Sequence, residues 1–144
     1  MNQLTMNNGV KAYAVNGIEN ALYFNPLDAD FAKRILDAIP TCQKIMERKQ
    51  IANCDDAETM FAKLREADKE IRVAIDEAFG QPVCEKIFTE TRVTALADGV
   101  PLWLNLILAI VDEIDANISK ADKQSSEKLQ YYTGKYMKKY GKKV

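Results

Sequence analysis

The sequence predicts a mainly α protein: a compact helical domain with a short N-terminal β-hairpin and an extended basic C-terminal helix or tail. Three observations lead there. Apolar residues recur every three or four positions in three long segments, the period of a helix face. Near the start, two strand-like runs flank an Asn-Gly pair, the strongest short-range hairpin signal. Charge is split along the chain. Met1–Asp122 carries 13 Lys+Arg against 20 Asp+Glu, a net of −7, whereas Lys123–Val144 carries 7 Lys against one Glu, a net of +6. This division places a helical domain at residues 1–121 and a Tyr/Lys-rich basic segment at 122–144. A charge asymmetry of this kind bears on association more than on fold.

In order along the chain, Val10–Val15 reads as a strand. Asn16-Gly17 reads as a type I′ turn and Ile18–Phe24 as the returning strand. Asn25-Pro26-Leu27-Asp28 reads as a helix start, with Asn25 as cap, Pro26 in the first turn and Asp28 favouring the positive end of the dipole. Phe31, Ile35, Ala38/Ile39, Cys42 and Ile45/Met46 then form one face. Pro40 falls inside that pattern and is expected to kink the helix without ending it. Asp55-Asp56-Ala57-Glu58 reads as a capping box with Asp55 as cap. The helix it opens shows Met60/Phe61, Leu64, Ala67, Ile71, Ala74/Ile75 and Ala78/Phe79 on one side, and Gly80 with Pro82 stops it. A short amphipathic piece carries Val83, Ile87 and Phe88. Asp98-Gly99-Val100-Pro101 is expected to begin the most buried helix, apolar nearly all round from Leu102 to Val111. Trp103 should be buried there, and only Ile114 and Ile118 keep the stripe beyond Asp112. The N-terminal hairpin is the one strand candidate.

At 144 residues, the chain can bury about 68–70% of its unfolded surface in one core. A composition 47% hydrophobic and 28% charged is that of a globular protein rather than a disordered one. No apolar run reaches the ~18–20 residues of a membrane span, and polar Met1–Gly9 does not read as a secretory signal. Cys42, Cys54 and Cys84 form no Cys-x-x-Cys pair, which favours reduced, buried thiols and a cytoplasmic location.

The residue types exclude much chemistry. Histidine is absent, and with it the commonest general base and metal ligand. The six glycines form no phosphate loop. Carboxylates gather at Asp112, Glu113 and Asp115 and at Asp55, Asp56 and Glu58, but a solvated helix segment and a helix cap account for them better than a metal site. No catalytic, metal or cofactor residue is expected, so the chain reads as a non-enzyme.

The basic segment is the remaining candidate, with Tyr131, Tyr132, Lys135, Tyr136, Lys138, Lys139 and Tyr140 as partner-binding residues. Leu129, Tyr132, Tyr136 and Tyr140 share one helical face among the lysines. Three readings stand open: a solvated terminus, a docking element for an acidic protein surface such as a neighbouring copy, or a nucleic-acid binder. The acidic body disfavours the last.

The order of elements also resembles a family. A hairpin with an Asn-Gly turn is followed by Phe24-Asn25-Pro26-Leu27-Asp28-Ala29-Asp30 opening a helix and Ile75-Asp76-Glu77-Ala78-Phe79-Gly80 closing a long one. Glu85-Lys86-Ile87-Phe88, an apolar helix ending in acidic residues, and a Lys-rich terminus complete the pattern. Over roughly Val10–Lys120 this resembles small Gram-positive prophage proteins encoded between the major tail tube protein and the tape measure protein, which look like tail assembly chaperones. The resemblance implies a homo-oligomeric, non-catalytic protein of the host cytoplasm, with no cofactor. Its partners would be the tape measure protein and the tail tube protein, and the apolar helix Pro101–Val111 fits a helical module that covers a client's apolar stripe. The competing expectation is a nucleic-acid-associated or structural phage protein acting through the basic segment.

Overall fold

The computed structural model of the chain describes the backbone of residues 1–139 and the side chains of residues 1–122. It is a helical domain with the expected N-terminal hairpin, β1 (Lys11–Val15) against β2 (Ile18–Phe24). Asn16 and Gly17 take φ of 50° and 82° at the turn. Tyr13 pairs with Leu22 but Val15 with Ile18, so β2 holds extra residues opposite Ala14. Asn20 (φ 53°) lies in this bulge, and the adjacent Ala21 and Leu22 are both buried. Such an insertion breaks the strict alternation of a strand. The inner face of the hairpin joins the core through a run of rings. Tyr13 stacks on Phe24 at 4.4 Å, Phe24 meets Phe31 at 4.7 Å, and Phe31 meets Phe79 at 5.8 Å.

Helix α1 (Ala29–Lys49) begins one turn later than expected. Asp28, not Asn25, is its cap, accepting from the Asp30 and Phe31 amides at 3.0 and 3.4 Å. Asn25 instead folds the preceding turn: its Oδ1 accepts from Leu27 N at 2.9 Å and its carbonyl from Asp28 N at 3.1 Å. An Asn-Pro pair can initiate a turn as readily as a helix, and the aspartate three residues on wins because its side chain reaches two free amides. The helix runs through Pro40 to a left-handed Gln50. Helix α2 (Ala57–Phe79) is likewise capped one residue later than expected, by Asp56 on Thr59 N at 2.6 Å, rather than by Asp55. It ends at Gly80 (φ 70°), as expected. The short α3 (Cys84–Phe88) has its first amides bound by another element, since Asp76 Oδ1 accepts from Val83 N and Cys84 N at 3.0 Å each.

A second hairpin was not expected. Asp98-Gly99 does not open the long helix. It is the turn between β3 (Leu96–Ala97) and β4 (Val100–Pro101), with φ of 56° and 80°. Positive φ at both positions is the requirement of a type I′ turn, which Asp-Gly meets as well as Asn-Gly. Helix α4 (Leu102–Lys139) starts immediately after. It is also less enclosed than its composition suggests. Trp103, Leu106, Ile107, Ile110 and Ile114 are buried, but Leu108 and Ile118 are exposed, so one face packs and the other meets solvent. Among the described residues, no helix is long and apolar enough to cross a membrane.

The core gathers the inner faces of α1, α2 and α4 with β2, Val83, Cys84 and Val93. Cys42 and Cys84 are buried free thiols. Burial pushes Cys42 up to about 11, and burial together with Asp76 pushes Cys84 up further, so neither ionises near neutrality.

Candidate functional site

The basic residues expected to carry partner binding, Tyr131, Tyr132, Lys135, Tyr136, Lys138, Lys139 and Tyr140, lie outside the residues whose side chains are described. The apolar segment Pro101–Val111, which lent weight to the chaperone reading, packs mostly inward. Its large side chains Trp103, Leu106, Ile107 and Ile110 are core, leaving Leu108 as the exposed large residue of that segment. Exposed apolar side chains of the described residues also line two grooves that sequence reasoning did not single out.

The first is about 380 Å³, lined by Phe61, Leu64, Arg65, Arg92, Thr94 and Ala95. Phe61 is on the apolar stripe of α2, yet it is 54% exposed because it precedes the stretch of α2 that meets the core. The opposite wall is the loop after α3, and a buried carboxylate holds that loop. Asp68, 2% exposed, accepts from Arg72 Nε at 3.1 Å and Arg92 at 3.3 Å on one oxygen, and from the Val93 amide at 2.8 Å on the other. Arg72 also donates to the Thr91 carbonyl at 2.6 Å. Trp103 N then donates to Val93 O at 3.1 Å and Leu102 N to Ala95 O at 2.8 Å, tying the loop to α4. Asp68 therefore sets where Arg92, Thr94 and Ala95 stand. It could have been found in the sequence: it interrupts the stripe at Leu64, Asp68, Ile71, Ile75, with Arg72 four residues on. An apolar wall beside two arginines suits an amphipathic helix with an acidic flank.

The second groove, about 430 Å³, runs between the start of α1 and α4, over Leu27, Ala32, Leu36, Ile114 and Ile118. Leu27, Leu36 and Ile118 are about half exposed. Its rim carries Asp28, Asp37 and Lys33, the last ion-paired with Asp37 at 2.7 Å.

On the hairpin side of α4 lies a polar cluster that absorbs one of the acidic residues noted above. Tyr13 donates to Glu113 Oε1 at 3.3 Å, Lys11 Nζ donates to Asn117 Oδ1 at 2.8 Å, and Asn117 Nδ2 donates to both the backbone carbonyl and the carboxylate of Glu113. Glu113 thus anchors the hairpin, while Asp112 and Asp115 are exposed. Burial, followed by the charge and hydrogen bond of Glu113, raises the Tyr13 hydroxyl from 10.0 to about 12. A phenol whose pKa is higher folded than unfolded contributes stability that is complete below pH 10 and is lost as pH rises through about 12. The denaturant midpoint should therefore fall between these values. Tyr13→Phe should flatten the fall, and an unchanged slope in that variant would refute the assignment.

No protein family, curated protein or solved structure matches the chain.

Proposed function

We propose that the chain is a non-catalytic tail assembly chaperone of a phage or prophage, which binds a tape measure protein before the tail tube forms around it. The sequence resemblance motivates this reading. The observation that carries it is the Phe61–Ala95 groove, an open apolar surface with Arg65 and Arg92 beside it on a helical body. A long helical client aggregates through its own apolar stripe, and covering that stripe removes the surface that drives aggregation. The arginines supply charge-assisted contacts to acidic residues flanking the stripe. Repeated copies along the client would keep it soluble until tube subunits displace them. No step needs a nucleophile or a proton shuttle.

The test is co-expression with the protein encoded immediately downstream. Its soluble fraction should rise several-fold with this chain present. Phe61→Glu, a change at an exposed position, should abolish the rise while leaving the melting curve of the chain intact. A downstream protein equally soluble alone would overturn the proposal. Binding of duplex DNA with a salt slope equivalent to about six phosphate contacts would replace it with the nucleic-acid reading.

A further inference from the structure

The second groove has a chemistry of its own, and the chain itself contains a segment that matches it. We infer that the α1–α4 groove over Leu27, Leu36 and Ile118 receives the basic C-terminal segment of a second copy of this chain, in a reciprocal exchange between two copies.

Three observations carry this. The first is charge. Residues up to Asp122 sum to −7 and the remainder to +6, so each copy attracts the terminus of the other. The rim carries Asp28 and Asp37, with Lys33 paired to Asp37, so the groove edge keeps one net negative charge for a basic segment. The second is pattern. In the sequence, the spacing that places Ile114 and Ile118 in the groove continues through Ala121, Ser125, Leu129, Tyr132 and Tyr136, every step three or four residues. An apolar and aromatic face of that kind needs a partner, and tyrosine buries much area at low entropic cost.

The third is reach. Helix α4 continues unbroken to Lys139. From Lys123 to Lys139 its axis advances by roughly 25 Å away from the groove's own α4 residues. While the helix persists, a copy cannot lay these tyrosines on its own groove, but two antiparallel α4 helices crossing near Ser125 and Ser126 can each lay them on the other's. The small serines permit close approach of the two helices. A twofold arrangement makes both contacts at once and doubles the area buried. This association does not depend on any client, and it leaves the Phe61 groove open.

The full-length chain provides the test. Sedimentation velocity should show a concentration-dependent dimer that weakens as salt rises. Leu36→Asp with Ile118→Asp should raise its dissociation constant by at least about tenfold, and Tyr132→Ser with Tyr136→Ser should do the same. Both pairs should leave the helical CD signal and the melt unchanged. Photo-crosslinking guards against a folding artefact. With p-benzoylphenylalanine replacing Tyr132 in otherwise unaltered protein, crosslinks should join that position to peptides spanning Leu27–Asp37 or Ile114–Ile118. Mixing isotopically light and heavy copies should show that they form between chains. Crosslinks within one chain, crosslinks to another surface, or a monomer at all concentrations would overturn the inference. So would groove variants that still dimerise but no longer keep a client soluble, since the groove would then be a client site. Phe61→Glu, by contrast, should leave the dimer unaffected, which separates failure of this inference from failure of the chaperone reading.

Discussion

Trp103→Ala is expected to destabilise the protein by roughly 3–5 kcal/mol and to lower the melting temperature by roughly 10–15 °C. The side chain is 2% exposed, at the point where α4 leaves the second hairpin. Its backbone amide also holds Val93, so the residue joins the loop to the core through both backbone and ring. Truncation leaves a void that the flanking helices cannot close without moving Leu106 and Ile107, both already packed. Trp103→Phe separates packing from polarity. The indole Nε1 is buried and has no hydrogen-bond partner among the described residues, so phenylalanine removes a desolvated donor while keeping most of the volume. It should cost no more than about 1 kcal/mol. Equal losses from both variants, measured by denaturant titration, would mean that the indole N–H is satisfied and that the packing argument is incomplete.

Asp68→Ala should cost about 3 kcal/mol, toward the lower end for a broken buried ion pair. The reason for the lower end is geometric. The carboxylate side chain is 3% exposed, but those of its partners Arg72 and Arg92 are 21% and 49% exposed, so both cations can turn to water once it is gone. What remains unpaired is the amide of fully buried Val93. Asp68→Asn keeps an acceptor for that amide and loses only the charge, so it should cost about half as much. Hydrogen exchange supplies a local readout: in the alanine variant the Val93 and Trp103 amides should lose protection more than those of α1. Because the same carboxylate places Arg92, Thr94 and Ala95, the proposed chaperone function predicts that the variant keeps less of a co-expressed downstream protein soluble. A protein as stable as the parent would show that the Asp68 cluster is not what holds the loop.

The parts of this protein that were legible in the sequence are those set by local chemistry and by period. The first hairpin follows from Asn16-Gly17, because few residue pairs accept two consecutive left-handed conformations. The inner faces of α1 and α2 follow from apolar spacing, and Gly80 marks a helix end because it takes a left-handed φ without a Cβ. Misplacements were small where two neighbouring residues competed for one role. Asp28 and Asp56 cap their helices where Asn25 and Asp55 were expected, since which side chain reaches the free amides depends on how the chain enters the helix. The second hairpin carried the same kind of signal as the first in Asp98-Gly99. Its strands are two residues each, too short to show any period.

Only the tertiary structure decided which apolar residues are core and which are surface. Composition alone made Leu102–Val111 look enclosed all round, yet α4 buries one face and leaves Leu108 outside. Phe61 and Ile118, each on an apolar stripe, and Leu36, off the inner face of α1, line open grooves that no other described element covers. Asp68 was readable as an interruption of a stripe, but its partners Arg92 and Val93 lie more than twenty residues away and meet it only through the path of the loop. Sequence period tells which face of a helix is apolar. Whether that face is covered depends on where other elements end, a property of the assembled chain and not of any segment within it.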